Sequence, residues 1–251
     1  MQAANHTDAV LQARIEDAAA AAERQNTPHF VGFLDERQAS LAKRFAEMCG
    51  ANFLLWGGHP DAERVYFGAF PFWQEPDPDA FPLCGATAVW RKCDVLSHRD
   101  FLGAFLAAGI NRETLGDFLL EEGRCVFYCR REVRDFLFAQ VAKIGRVGVK
   151  LSPSVEEPLP ALHHFAPIEA VIASPRLDCV VAACTGLGRD KAAALIDADA
   201  VQVNHSPVHA HAYTVPEGAL LSIRGKGRFC IDSLSTQTKK GKRKLLGRKF
   251  I

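Results

Sequence analysis

No apolar run in this sequence is long enough to cross a bilayer. The longest stretch without a formal charge, Ala200 to Pro216, carries Asn204, three histidines and two prolines, whereas a span needs about 18–20 predominantly apolar residues. No signal peptide is visible: Asn5, His6 and Asp8 lead into an Ala-rich segment bearing Arg14, Glu16 and Asp17. The eight cysteines include no Cys-x-x-Cys pair, which removes the usual zinc-knuckle and thioredoxin spacings. The 19 glycines and 13 prolines follow no period, so collagen-like and mucin-like chains are excluded. Neither sign of charge dominates, with 30 Lys+Arg against 29 Asp+Glu. What remains is a 251-residue globular composition, 48% apolar and 24% charged, long enough for two domains or three small ones. A soluble cytoplasmic chain with no membrane partner is expected, with buried free thiols.

The near-neutral total hides an uneven distribution. Residues 176–251 hold 13 basic and 6 acidic side chains, while residues 1–175 hold 17 and 23. From Arg224 to Lys249 there are ten basic groups and one acid, Asp232. An acidic body with a basic C-terminal module suits a polyanion binder; a solubilising tail is the bland alternative. His205, His209 and His211 have ligand-like spacing around Pro207, but no nearby acid or Cys completes a set. No metal and no cofactor are expected.

Periodicity and punctuation predict three modules. In the first, residues 1–80, an amphipathic helix from about Asp8 to Gln25 precedes a second helix capped by Asp35 and running to about Cys49. Strands Asn52–Trp56 and Arg64–Phe70 follow, and the Pro-rich stretch 71–82 is a boundary. The second module, 81–165, alternates strand Ala86–Lys92, helix Ser97–Ala108, a helical piece Arg112–Leu120, strand Arg124–Arg130, helix Val133–Ile144 and strand Val147–Leu151. Such alternation suggests a small α/β plait. After the linker 152–167, the third module, 166–251, has helices Arg176–Thr185 and Arg189–Asp199 around Gly186-Leu187-Gly188. Strand Val201–Asn204, segment Ala219–Arg224, strand Gly227–Ser233 and the basic end complete it. The fold class expected is α+β.

The third module carries, in order, Arg176-Leu177-Asp178, Arg189-Asp190-Lys191, Leu195-Ile196, Val201-Gln202-Val203-Asn204 and Arg224-Gly225-Lys226-Gly227-Arg228-Phe229. This set resembles the S4 RNA-binding domain, in which two short helices and a small sheet present basic residues to the backbone of folded RNA. Arg176, Arg189 and Lys191 fall near helix N-termini, where the dipole and amide groups also favour phosphate. Arg adds a bidentate fork and Lys a point charge. Three positions depart from the family pattern: Gly188 replaces the usual Ser, Asp199 the usual Gly, and Ala219 an acid.

A wider resemblance covers the chain from about residue 30 onward. Phe33-Leu34-Asp35-Glu36-Arg37-Gln38, Gly57-Gly58 with Ala62-Glu63-Arg64, and His98-Arg99-Asp100-Phe101-Leu102-Gly103-Ala104 look like the YlmH family. So do Gly109-Ile110-Asn111-Arg112-Glu113, Gly116-Asp117 and Thr238-Lys239-Lys240-Gly241-Lys242. The resemblance implies an N-terminal α/β domain, an RRM-like RNA-binding middle domain and a C-terminal S4 domain. It also implies binding to the large ribosomal subunit carrying obstructed peptidyl-tRNA, in ribosome-associated quality control; an older family name refers to cell division.

The residues expected to contact rRNA or tRNA are Arg176, Arg189, Lys191, Asn204, Lys226, Arg228, Lys239, Lys240 and Lys242, with Arg99 and Arg112 as a second surface. Arg99 and Arg112 could equally pair with Asp100 and Glu113, and Asp117 is expected to satisfy nearby backbone. Recognition would be of RNA shape and phosphate spacing, without DNA specificity, by a monomer. Two other classes compete with this reading. Arg176-Leu177-Asp178 followed by Thr185-Gly186-Leu187 resembles the catalytic motif of pseudouridine synthases, but the Thr comes too late and no catalytic domain accompanies the module. A cell-division adaptor acting through protein partners is the third. No catalytic residue is assigned, and Asp178 is expected to be a helix acid or a partner for a nearby Arg.

Overall fold

A computed structural model describes residues 2–163, 165–235 and 242–251 of the chain, which divides into two compact units, Met1–Leu162 and His163–Ile251. In the first, helix α1 (Gln2–Gln25) buries Leu11, Ile15, Ala18 and Ala22, a stripe at alternating spacings of four and three. Strand β1 (His29–Leu34) leads to Asp35, which starts helix α2 (Glu36–Met48) with a reciprocal capping box. The Gln38 amide donates to the Asp35 carboxylate at 2.8 Å, and the Asp35 amide donates to Gln38 Oε1 at 3.0 Å. Strands β2 (Asn52–Trp56) and β3 (Val65–Phe70) complete an antiparallel sheet of order β1-β3-β2. The sequence signals missed β1.

The same unit continues through β4 (Leu83–Val89), α3 (His98–Ala107), β5 (Leu115–Glu121), β6 (Arg124–Arg130) and α4 (Arg131–Gln140), then short strands β7 (Lys143–Ile144), β8 (Val147–Gly148) and β9 (Lys150–Ser152). Its four-stranded antiparallel sheet has the order β5-β6-β4-β9. Strand β6 is buried on both sides. Cys125, Phe127 and Cys129 pack with Phe101, Phe105 and Leu137, whereas Val126 and Tyr128 pack with Phe33, Tyr66, Phe70 and Phe81 beneath the first sheet. The two sheets therefore share a core, and the division of this unit at residue 80 stands as a proposal.

Two expected helical stretches are corrected. Only Arg112–Thr114 makes a helical turn; the following residues form β5, because both its faces are buried and Glu122-Gly123, with Gly123 at φ +78°, closes a tight hairpin to β6. Likewise α4 stops at Gln140, and the residues assigned to its last turn enter the β7–β8 hairpin instead. The strand expected at Ala86–Lys92 lies three residues earlier. Of the thiols, Cys125, Cys129 and Cys179 are buried, whereas Cys49 and Cys93 are exposed rather than buried as expected.

The second unit comprises β10 (Phe165–Ile172), α5 (Leu177–Thr185), α6 (Arg189–Asp197), β11 (Val201–Val203), β12 (Ser206–Pro207), β13 (Leu220–Ile223), β14 (Gly227–Leu234) and β15 (Arg243–Phe250). They form a six-stranded antiparallel sheet of order β10-β15-β14-β13-β11-β12. Helices α5 and α6 supply Val180, Val181, Ala192 and Ile196 to a core with Leu221, Phe229, Ile231 and Leu245. Strand β10 was not foreseen. The basic end, for which a solubilising tail is the bland alternative, is in residues 243–250 a strand paired on both sides. Its inward Leu245 and Gly247 alternate with outward Lys244 and Arg248, a period of two that the dense positive charge concealed. Across the described residues, no helix is long and apolar enough to cross a membrane.

Candidate nucleic-acid interface

Arg176 is the residue before the first turn of α5, and Arg189 opens α6. Both side chains converge on one carboxylate. Arg176 Nε and Nη2 donate to Asp178 Oδ1 and Oδ2 at 3.2 and 3.1 Å, and Arg189 Nε and Nη2 donate to Oδ2 at 3.0 and 2.8 Å. The Cys179 amide donates to Oδ1 at 2.9 Å. Burial by itself would raise the Asp178 pKa, but the bonds from Arg176, Arg189 and the Cys179 amide outweigh it and hold the group well below the usual carboxylate range. The carboxylate is buried while the two arginines keep about half of their side-chain surface. Two cations on one buried anion leave a net positive, geometrically fixed patch. Asp178 is thus an anchored partner for two arginines, as the sequence suggested.

The helix N-termini differ. At α5 the Leu177 and Asp178 amides already donate to the Tyr213 and His211 carbonyls, so only the Arg176 side chain is offered to an anion there. At α6 the cap residue is Gly188, which has no side chain to bond the first-turn amides. Lys191 lies exposed in the first turn of α6.

Elsewhere in this unit, Lys226 occupies the turn between β13 and β14, and Arg228 lies near the start of β14. Arg224, Gly225, Gly227 and Arg228 line an open cavity of about 320 Å3 with Asp199, Gln202 and Ser222. Asp199 has φ +56°, the left-handed backbone for which glycine is best suited. Asn204 also has positive φ, and its side-chain oxygen accepts from the Leu220 amide at 2.9 Å, a local turn role. Lys239 and Lys240 lie outside the described residues. Lys242 is exposed immediately before β15. Two of the three histidines pair with acids: His211 Nε2 lies 2.7 Å from Asp197, and His209 Nδ1 lies 3.7 Å from Asp199. Among the described residues no group of three or more His, Cys, Asp or Glu side chains is gathered for a metal.

In the first unit Arg99 is exposed on α3, and Asp100 is bonded not to it but to Ser97 in a capping box. Arg112 is turned inward, donating from Nη1 to the Leu115 carbonyl at 2.9 Å. Burial, with Arg64 nearby, lowers its pKa to about 10. The neighbouring motif residues make a clamp between the two sheets. Asp117 accepts from the Glu63 and Arg64 amides at 2.8 and 3.2 Å and meets His59 Nε2 at 3.2 Å. Arg64 reaches across to the carbonyls of Leu115, Phe33 and Arg112 at 2.9–3.3 Å. Gly58, at φ +103°, lies under the Tyr128 ring, where any Cβ would overlap it. Asp117 satisfies backbone, as expected; the inward course of Arg64 had no signal in the sequence beyond its place in the motif.

Residues 89–157 match the family model described as "Putative RNA-binding domain in YlmH". The chain is 28% identical over 220 residues to the ribosome-associated protein quality control protein P2 of Bacillus subtilis (strain 168), covering 84% of this chain and 82% of that protein. It also resembles the solved cell division protein ylmH from Streptococcus pneumoniae, with a TM-score of 0.49 and 19% identity, over 60% of this chain and 88% of that one.

Proposed function

We propose that this chain belongs to the YlmH family and is a non-enzymatic protein that binds structured rRNA and tRNA on the large ribosomal subunit. The observation that carries this reading is the Arg176–Asp178–Arg189 cluster, which fixes two guanidinium groups at the surface before any RNA arrives. Fixed forks lose little freedom on meeting phosphate oxygens, and the net positive cluster favours an anion. Lys191, in the first turn of α6, extends the positive surface, and Lys226, Arg228, Lys239, Lys240 and Lys242 are the further basic groups proposed to meet RNA. Asp178 has no role in catalysis on this reading.

The domain layout proposed is an N-terminal α/β module (1–80), an RRM-like plait (81–165) and an S4 domain (166–251). Support for the plait comes from the β4-α3-β5-β6-α4-β9 succession with spatial order second, third, first, fourth. Support for the S4 domain comes from its motifs and the paired helices they cap. The relative's name supports a place in ribosome-associated quality control; obstructed peptidyl-tRNA on the large subunit as the target, a cytoplasmic location and a monomeric state belong to the same proposal.

The test is sedimentation of the purified chain with large ribosomal subunits before and after RNase treatment. Co-sedimentation that RNase abolishes is the expected result. Binding that survives complete RNA digestion would favour a protein adaptor, and uridine isomerisation in incubated RNA would favour a synthase.

A further inference from the structure

The helices of the second unit cover only one face of its sheet, where Leu221, Phe229, Ile231 and Leu245 point inward. The residues alternating with these face the other way. Register sets Gln202 opposite Ser222, Ser222 opposite Arg228, and Phe250 opposite Phe165. The Phe229–Lys249 pair brings Arg228 beside Phe250. One row therefore crosses β11, β13, β14, β15 and β10, a width of roughly 19 Å at about 4.8 Å per strand.

One end of this row is aromatic. The Phe165 and Phe250 ring centroids are 4.9 Å apart, edge to face. The Arg228 guanidinium lies 4.7 Å from the Phe250 centroid and the Arg248 guanidinium 4.8 Å from that of Phe165. Asp232 fixes Arg248 through three contacts of 2.8–3.1 Å, and Phe165 remains 39% exposed. The other end is the polar cavity lined by Gln202, Ser222, Arg224 and Arg228. Arg228 belongs to both ends, so the stack of rings and guanidinium groups runs directly into the groove. Around the aromatic end and the cavity, Arg224, Arg228 and Arg248 stand against Asp199 and Asp232, while Lys244 and Glu169 pair further along the strands.

Flat rings and guanidinium planes beside a cationic groove suit unpaired nucleotides, whose bases stack while the backbone follows the positive charge. A duplex keeps its base faces hidden and cannot use them. We infer that this sheet face is a second RNA site, specific for a few single-stranded nucleotides and separate from the Arg176–Asp178–Arg189 cluster. The inference rests on the RNA-binding reading above and adds to it a substrate class and a surface.

The test uses the full chain and fluorescence anisotropy with three probes: a short oligoadenylate, an abasic strand of equal length, and a blunt RNA duplex. Wild type should bind oligoadenylate at least several-fold more tightly than the abasic strand. Replacing both rings, Phe165→Leu with Phe250→Leu, should weaken oligoadenylate about tenfold and leave the duplex within twofold. The paired Phe165→Tyr and Phe250→Tyr changes should restore it, which separates lost stacking from lost fold. Equal binding of oligoadenylate and abasic strand, or no effect of the Leu pair, overturns the inference while duplex binding keeps the broader reading intact. Failure to bind any of the three RNAs overturns both. A dimer that the Leu pair dissociates, with RNA binding unchanged, would assign the face to a second copy and overturn the inference.

Discussion

Arg189 Nη2 lies 2.8 Å from Asp178 Oδ2, an ion pair in which the acid is buried and the cation open to solvent. The acid therefore acts on the fold, and through the arginine on whatever anion approaches it. Replacing Asp178 by Asn removes the charge but little volume, and should cost about 1–3 kcal/mol of stability near neutral pH. The depressed Asp178 pKa fixes the sign of the pH dependence. Its stabilisation is fully present above the ordinary carboxylate range near pH 4 and is lost as pH falls toward the folded-state value. Urea midpoints measured from pH 7 downward should show the gap between wild type and Asp178→Asn shrinking below about pH 4. A gap that widens in acid would contradict the geometry.

Arg189→Ala removes one of the two fixed forks, whereas Lys242→Ala removes one cation from a closely spaced basic run. Binding of large ribosomal subunits, compared in variants with unchanged thermal unfolding, should fall about tenfold for Arg189→Ala and less for Lys242→Ala. The Lys242 change should also flatten the salt dependence by roughly one charge. The reverse order would move the RNA anchor to the basic end.

The clamp between the sheets of the first unit is a matter of stability. Asp117→Ala strands the Glu63 and Arg64 amides it accepts from, at a cost of about 2–4 kcal/mol in denaturant unfolding. Gly58→Ala should cost a similar amount, because it adds backbone strain to overlap with Tyr128. Near-native stability in both variants would show that the 57–64 loop can leave the sheet without loss.

Asp199 holds a left-handed backbone and a negative charge on the rim of the cavity beside Arg224 and Arg228. Asp199→Gly relieves the first and deletes the second. Titration with the short oligoadenylate should show a several-fold gain in affinity, with stability changed by no more than about 1 kcal/mol. Weaker RNA binding by this variant would mean that the acid orients a cation rather than repelling the ligand.

Local chemistry was the part of this protein most open to reading. Asp35 announced the start of α2, and the charged triplets placed Arg176 and Arg189 at the heads of α5 and α6. Signals that depend on distant partners were not legible. Residues 115–121 look helical until β6 is known to cover one side and the first sheet the other. The β15 pattern is two inward residues among basic ones, and only the presence of β10 and β14 makes it a strand. For the same reason the outward Phe165 and Phe250 drew no notice, since the sequence does not show that they meet. Arg112 looked like a surface cation because its acceptor, the Leu115 carbonyl, exists only once the turn has formed.

The pairing of β10 with β15 has a kinetic consequence. Phe165 meets Phe250 and Ile172 meets Arg243 across nearly the whole unit, so the two strands close a far longer loop than the β13–β14 hairpin does. Loop-closure entropy delays such contacts, and topology of this kind slows folding. The helices and the inner strands should therefore gain hydrogen-exchange protection first, and the aromatic end of the sheet last. During that interval β15 presents an unpaired edge, and the outward charges of Lys244 and Arg248 guard it against joining another chain.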